Sequence, residues 1–244
     1  MTPKVSSTSH STPASGIQRV FWRFTAGQRW EHWFLFFSFT ILLLTGLPQK
    51  YRSLAISQAI LSTPERVQLI QTIHHYAALV LILEVLYHLG KIVMQLVQRR
   101  LSGEMLITWQ DVKDSFQMVK YLLFLTDKKP AFGKYNFEQK LTYWFLFFGI
   151  GIMVLTGIVL LYPIQITWVL PGGIIPAAKL AHSEEAIVAA FFIVIWHFFH
   201  VHLERLNLSM FTGWLNADEE RKYHAKEYEK LVRMVPEDTT PGGE

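Results

Sequence analysis

Four long apolar runs alternate with polar stretches along this chain of 244 residues. The runs cover positions 33–47, 76–97, 141–162 and 186–201. About 20 apolar residues are enough to carry a helix through the hydrocarbon core of a membrane. The pattern therefore predicts an all-α membrane protein whose core is a bundle of four transmembrane helices.

The first and third runs share a sequence pattern. Both contain the letters WFLFF followed at the same spacing by TG, and the copies begin at Trp33 and Trp144. Each run leads through a loop into a second helix that carries two histidines. This repetition predicts a bundle built from two repeated hairpins. The copies differ in one place, because Tyr143 stands where the first copy has His32.

Polar segments flank the apolar core. Positions 1–18 are rich in Ser, Thr and Pro and are predicted to be a disordered tail, whereas 217–244 is predicted to be a charged helix and tail. This leaves 19–216 as the transmembrane domain. Of the 23 Lys and Arg residues, 19 lie before the first run, in the segment from Lys91 near the end of the second run to Lys140, or after the fourth run. Because basic residues favour the cytoplasmic side, both termini are expected in the cytoplasm, and the positive net charge does not indicate a nucleic-acid partner.

Histidine is the candidate metal ligand. The chain contains ten histidines and no cysteine. The absence of cysteine excludes an iron–sulfur cluster held by thiolates, covalent c-type haem attachment and a zinc finger. Most of the histidines lie at or inside the apolar runs, where an imidazole is costly unless it has a partner. The partner that fits best is the iron of a haem held between helices without covalent attachment.

The spacing of these histidines favours two haem groups. His74 and His88 lie on one face of the second helix, and His182 and His197 lie on one face of the fourth. Two such helices that face each other can hold one macrocycle near each membrane surface. His75 points about 140° away from His88 and is therefore discarded as a ligand.

Two other functions remain open at this point. His197, His200 and His202 follow a spacing that could chelate a divalent metal, which would indicate a metal transporter. The chain could also be a passive membrane anchor that tethers a soluble enzyme and carries no electrons. A reduced-minus-oxidised visible spectrum separates both alternatives from a cytochrome.

Two motifs carry a resemblance to a known family. The chain reads RWEHW at 29–33 and GKYNFEQK at 133–140, and each motif leads into a WFLFF run. In these motifs it resembles the gamma subunit of membrane-bound formate dehydrogenases. More widely, it is similar to the cytochrome b subunits of nickel–iron hydrogenases and thiosulfate reductases.

The resemblance implies two b haems with defined ligands. The outer haem would take His74 and His182, which agrees with the repeat. The inner haem would take His32 and His197, whereas the symmetry of the repeat pairs His88 with His197. We prefer His32 and His197 as the inner pair.

Further residues follow from this comparison. His88 and His202 then have two interpretations. They hold a third haem, or they orient other ligands or handle protons. The resemblance also implies a quinone site near the cytoplasmic face, which uses Asn136 and Gln139. Glu138 departs from the family pattern, because the formate dehydrogenase subunit has glycine there.

The sequence is therefore interpreted as a cytochrome b subunit of the bacterial cytoplasmic membrane. It would transfer electrons between a periplasmic-side redox subunit and the quinone pool as part of a membrane quinone oxidoreductase complex. An iron–sulfur protein or a multihaem c-type protein is the expected partner, and menaquinone or ubiquinone is the expected quinone.

Overall fold

The computed structural model describes residues 5–6, 20–128, 130–203 and 207–234. Most of the segment 1–18, for which disorder is expected, lies outside the described residues; Val5–Ser6 forms a short strand. The boundaries at 18 and 216 remain a prediction.

Helices dominate the described residues, and three short strands accompany them. The helices are α1 (Ala26–Lys50), α2 (Ala55–Ile60), α3 (Pro64–Val97), α4 (Trp109–Leu122), α5 (Phe137–Leu161), α6 (Pro163–Thr167), α7 (Ile174–Phe191), α8 (Ser209–Thr212), α9 (Ala217–Tyr223) and α10 (Ala225–Met234). A 3-10 turn covers Gly103–Met105. The strands are β1 (Val5–Ser6), β2 (Val20–Trp22) and β3 (Trp214–Asn216), which form one antiparallel sheet in the order β1-β2-β3.

Three of the described helices are long and apolar enough to cross a membrane, namely α1, α3 and α5. They contain the first, second and third apolar runs. Many of their large apolar side chains are exposed, including Leu44, Leu83 and Leu155. Such exposure is expected of helices whose surroundings are lipid rather than water.

The helix that carries the fourth apolar run begins well before that run. It starts at Ile174 as α7 and continues through π-helical segments at Phe192–His197 and Phe199–Leu203. Its first part therefore includes Glu184 and Glu185. The carboxylate of Glu185 lies over Gly149 of α5, where a Cβ atom would approach Oε1 to 2.6 Å. The glycine is thus required for this close approach of the carboxylate.

Local signals fix the starts of two helices. Thr63 accepts a hydrogen bond from the backbone N–H of Arg66, and Pro64 occupies the first turn of α3. Thr108 and Asp111 form a reciprocal capping box at the start of α4. The same Asp111 carboxylate accepts hydrogen bonds from Lys140 Nζ at 2.9 Å.

The chain divides into two compact units. The first comprises Met1–Arg29, Ser102–Tyr143 and Asn207–Glu244, and the second comprises Trp30–Leu101 and Trp144–Leu206. In the first unit the sheet joins distant parts of the chain, since Phe21 of β2 pairs with Leu215 of β3. Both of these side chains are buried.

A buried polar cluster holds the first unit together. Arg23 pairs with Glu220, and its guanidinium also donates to the carbonyl oxygen of Lys134. The ring of His224 donates from Nδ1 to the carbonyl oxygen of Gly133 at 2.8 Å, and Arg23 Nη2 lies 3.1 Å from its Nε2. Since Nδ1 carries the proton in this arrangement, Nε2 accepts from the guanidinium.

The charged C-terminal helix expected after residue 217 is divided into two helices. α9 ends at Tyr223 and α10 begins at Ala225, and between them His224 leaves the helical conformation with φ −137° and ψ 51°. The break places the imidazole in the buried cluster. The sequence did not indicate this break, because charged residues continue on both sides of it. The break is caused by contacts of His224 with residues far away in the chain.

The pairing of Asp111 with Lys140 leads to a prediction about pH. Burial alone would raise the pKa of Asp111, but hydrogen bonds from Thr108 and Lys140 and the charge of Lys140 hold it below its usual value of 3.8. Because the folded pKa is lowered, this contribution to stability is present at neutral pH and is lost as the pH falls through the folded pKa. We expect Asp111→Asn, which keeps an acceptor for the cap, to lower stability by about 1.5–3 kcal/mol at pH 7.

Thermal melting from pH 7 to pH 3 measures this effect. The difference in Tm between the wild type and Asp111→Asn should narrow below about pH 4, as Asp111 becomes protonated in the wild type. The matched control is Asp114→Asn on the same helix, whose difference in Tm should be small at every pH. A difference in Tm between the wild type and Asp111→Asn that stayed constant down to pH 3 would contradict the ion pair between Asp111 and Lys140.

Candidate metal centre

Two pairs of histidines face each other in the second unit. The ring centres of His74 on α3 and His182 on α7 lie 6.4 Å apart, with their planes inclined by 65°. The ring centres of His32 on α1 and His197 on the first π-helical segment lie 6.3 Å apart, with an inclination of 39°. These are the pairs that the family resemblance implies for the outer and the inner site.

This spacing suits one metal ion between two imidazoles on opposite sides. A metal–nitrogen bond is about 2.0 Å long and an imidazole ring centre lies roughly 1.15 Å behind its nitrogen, so two trans ligands have ring centres about 6.3 Å apart. A tetrahedral ion would bring the same centres to about 5.1 Å. The observed ring-centre distances of 6.3 and 6.4 Å therefore leave room for one metal ion between the two rings of each pair.

A threonine fixes the orientation of the first outer histidine. Thr45 Oγ1 lies 2.7 Å from the carbonyl oxygen of Ile41 and donates its proton there. The same oxygen lies 2.9 Å from Nδ1 of His74, so it accepts a proton from that nitrogen. The proton on Nδ1 leaves the lone pair on Nε2, which is the atom that such a ring offers to a metal.

The second copy of the repeat gives His182 the same surroundings. Thr156 Oγ1 donates to Ile152 and lies 3.0 Å from Nδ1 of His182. The glycine that follows each threonine also contacts the ring: a Cβ atom on Gly46 would lie 3.5 Å from Cε1 of His74, and one on Gly157 would lie 3.3 Å from Cε1 of His182. Each Thr-Gly pair therefore orients a ring with the hydroxyl and makes room for it with the glycine.

His88 has an acidic partner that the sequence did not indicate. Its Nδ1 lies 2.9 Å from Oε2 of Glu31, and the other oxygen of Glu31 accepts from Lys91. The one local signal was Glu31 itself, an isolated carboxylate in the second turn of α1, beside an apolar run. The side chain of His202 lies outside the described residues, so the third haem remains a prediction.

Asn136 and Gln139 form a helix cap at the start of α5. Oδ1 of Asn136 accepts from the backbone N–H of Gln139 at 2.8 Å, and Oε1 of Gln139 accepts from the backbone N–H of Asn136 at 3.1 Å. The side-chain amide of Asn136 donates to Glu138 at 3.3 Å. The spacing N-x-x-Q is itself a capping signature, which the sequence interpretation did not use. The side-chain N–H of Asn136 therefore takes no part in the cap itself and bonds to Glu138 instead.

The loop before this cap is held by hydrogen bonds from other parts of the first unit. The carbonyl oxygens of three successive residues, Phe132, Gly133 and Lys134, accept from the backbone of Lys226, the ring of His224 and the guanidinium of Arg23. The sequence interpretation missed Arg23 and His224 because the contact partners lie about 90 to 110 positions away in the chain. These contacts fix the backbone that leads into Asn136.

A metal transporter would need a cluster of several ligands. Among the residues whose side chains the structure describes, no group of three His, Cys, Asp or Glu residues comes together in a way that could hold an ion. The side chains of His200 and His202 lie outside that part. Four of the described histidines instead form two pairs, with ring centres 6.3 and 6.4 Å apart.

Comparison with known proteins identifies the family of this chain. A family model described as prokaryotic cytochrome b561 matches residues 23–213. The cytochrome b556(fdo) subunits of formate dehydrogenase from Escherichia coli strain K12 and from Escherichia coli O157:H7 are similar to this chain. Each is 22% identical over 216 residues, which cover 87% of this chain and 94% of the relative.

The family match includes every helix that carries a candidate haem ligand. It also agrees with the apolar spans α1, α3 and α5. The chain therefore belongs to the prokaryotic cytochrome b561 family, and it is a membrane-embedded cytochrome b with a role in electron transfer.

Proposed function

We propose that this protein is a four-span cytochrome b that holds two b haems and transfers electrons between a redox subunit outside the cytoplasm and the quinone pool. The observation that carries the proposal is the presence of two histidine pairs with ring centres 6.3 and 6.4 Å apart. His74 and His182 would hold the outer haem, and His32 and His197 the inner one. When bound, haem b supplies one-electron transfer.

The residues around the outer pair support this assignment. The hydroxyls of Thr45 and Thr156 keep the proton on Nδ1 of each ring, so that both Nε2 atoms are ready to bind iron. His74 and His182 would together hold one haem between them. A haem held by two histidines would leave no position for oxygen or another substrate, so such a site favours electron transfer over chemistry on a bound ligand.

Contacts inside the first unit support a fourth span. β2 pairs with β3, and the backbone N–H of Lys226 donates to the carbonyl oxygen of Phe132, so these contacts bring three stretches of the chain together. If the three stretches lie outside the membrane, on one side of it, the chain crosses an even number of times between each of them. Since α5 lies between the second and third stretches, we propose one further crossing after it. The helix over 174–203 is the described segment long enough to provide that crossing.

The charges of these stretches support the orientation. They contain most of the Lys and Arg residues of the chain, which favours the cytoplasmic side of the bacterial inner membrane for both termini. In this orientation the His74–His182 pair would lie towards the periplasm, where an iron–sulfur subunit or a multihaem c-type subunit would exchange electrons with it. The 22% identical relative is a formate dehydrogenase subunit, which supports a place in a redox complex of several subunits.

We further propose that quinone binds at Asn136, beside the cap that this residue forms with Gln139. Oδ1 of Asn136 is used by the helix cap, so its amide N–H is the group that would donate to a quinone carbonyl. Oxidation of a quinol to a quinone releases two electrons, which would pass one at a time to the haem, and two protons. Glu138, which already accepts from this amide, would accept one of these protons, and the other would pass to water.

Replacing Asn136 with serine tests the quinone site. Serine keeps a cap acceptor for α5 but removes the amide donor, so turnover with a soluble quinol should fall about three- to tenfold, which corresponds to one lost hydrogen bond. The matched control is Asn216→Ser, because Asn216 caps α9 in the same way, through Oδ1 and the backbone N–H of Glu219 at 2.8 Å.

Haem content and the reduced-minus-oxidised spectrum are measured on each variant. Both should equal those of the wild type, which separates the quinone site from haem binding. Unchanged quinol turnover in Asn136→Ser would contradict the quinone site alone. A colourless wild-type protein would contradict haem binding by the purified chain and would favour the passive anchor.

A further inference from the structure

Helix α4 carries an exposed stripe of apolar and basic side chains. Trp109, Lys113, Phe116, Lys120 and Leu123 follow each other at alternating spacings of four and three residues, which places them on one face of a helix. All five are exposed, with Trp109 at 72% and Phe116 at 66%. We call these five residues the α4 stripe.

The opposite side of α4 is attached to the first unit. Asp111 is buried and forms the ion pair with Lys140, whose Nζ also donates to the carbonyl oxygen of Leu106 at 3.1 Å. On a helix, Asp111 lies about 200° from Trp109. The unit therefore holds α4 by one face and leaves the α4 stripe uncovered.

The residues that follow α4 extend this apolar surface. Phe124 has a positive φ of 57°, a conformation that favours glycine, and its side chain is 95% exposed. Leu125 is exposed as well, and its backbone N–H donates to the carbonyl oxygen of Lys120 at 2.8 Å. A phenylalanine at position 124 strains the backbone, and its side chain is not covered by any of the residues that the structure describes. Its apolar side chain is thus available to something outside the chain.

The position of α4 in the sequence and its charges indicate what covers the stripe. α4 lies in the chain between α3, which ends at Val97, and α5, which begins at Phe137, so each of its ends leads to a helix that is apolar enough to cross a membrane. The α4 stripe contains two lysines and no carboxylate. Apolar side chains interspersed with lysines, with a tryptophan at one end, are typical of helices that lie in the interface of an anionic membrane.

We propose that α4, together with Phe124 and Leu125, lies along the membrane surface. The apolar side chains enter the boundary between headgroups and acyl chains, and Lys113 and Lys120 contact anionic phospholipid headgroups. α4 thereby anchors the connection between α3 and α5 to the bilayer. This contact is independent of haem and quinone binding.

Because the chain has no cysteine, single cysteines can be introduced and labelled without removing any native residue. The variants are Phe116→Cys and Phe124→Cys, each carrying a nitroxide, in the full chain in nanodiscs that contain phosphatidylglycerol. Collision of the label with oxygen, which concentrates in lipid, is compared with collision with a water-soluble nickel chelate. Glu229→Cys on α10 is the control, since the side chain of Glu229 is 67% exposed.

Labels at 116 and 124 should collide with oxygen several-fold more than with the nickel chelate, and the label at 229 should show the reverse. Adding K113Q and K120Q should move the label at 116 towards the aqueous pattern. A water-like pattern at 116 and 124 would overturn the proposal. Labels inaccessible to both reagents would also overturn it and would assign the α4 stripe to a protein interface. No effect of K113Q and K120Q would overturn the contact with anionic headgroups.

Discussion

Replacing His74 with leucine is expected to halve the haem content of the purified protein, whereas replacing its neighbour His75 should leave it unchanged. The two residues are adjacent on α3, but only the ring of His74 faces His182 at 6.4 Å and has the hydrogen bond from Nδ1 to Thr45. A haem that loses one of two axial ligands and is not covalently attached dissociates far more easily. His75 is exposed, so its replacement changes little within the fold.

The measurement is haem per protein by pyridine haemochrome, together with the reduced-minus-oxidised spectrum. His182→Leu should remove the same haem as His74→Leu, and the variant with both changes should lose no more than either one. This non-additivity distinguishes two ligands of one haem from ligands of two different haems. Equal haem loss in His74→Leu and His75→Leu would contradict the assignment of the outer pair.

The second large effect concerns the buried cluster of the first unit. Arg23 is almost completely buried, pairs with the equally buried Glu220 and donates to the carbonyl oxygen of Lys134. We expect Arg23→Met to destabilise the first unit by about 3–5 kcal/mol, because the change removes one partner of a buried ion pair. The matched control is Arg233→Met on α10, whose pair with Glu229 is exposed and should contribute at most about 1 kcal/mol.

Membrane proteins often unfold irreversibly, so the rate of chymotrypsin cleavage within 102–143 is the suitable measurement. Arg23→Met should speed cleavage about a hundredfold or more, and Arg233→Met by no more than about fivefold. Haem content reports separately on the second unit and should change much less. Equal cleavage rates in the two variants would show that the cluster does not hold the first unit together.

The family and the membrane helices could be predicted from sequence, because their signals are local. Apolar runs predicted α1, α3 and α5, and the motifs around His32 and Asn136 identified the family, which is confirmed. The sequence did not indicate that the fourth helix begins as early as Ile174. Glu184 and Glu185 interrupt the apolar pattern there, and their positions are explained only by contacts such as the one between Glu185 and Gly149.

The features that were missed depend on residues far apart in the chain. The sheet consists of strands of two or three residues, which are too short to give a pattern. The pairing of Arg23 with Glu220 spans 197 positions, and that of His88 with Glu31 spans 57. Two of the missed features had a local signature, namely the cap formed by Asn136 and Gln139 and the isolated carboxylate of Glu31. The roles of the histidines as ligands, and of Asn136 in quinone binding, remain predictions.

The helix over 174–203 carries one histidine of each pair. His182 faces a ring on α3 and His197 faces a ring on α1, and the two are fifteen residues apart, a rise of about 22 Å on a helix. A displacement of this helix along its axis would therefore shift both ring contacts together. The ring contacts of both pairs thus depend on the position of this one helix. A mutation that makes the helix less well fixed would disturb both pairs at once.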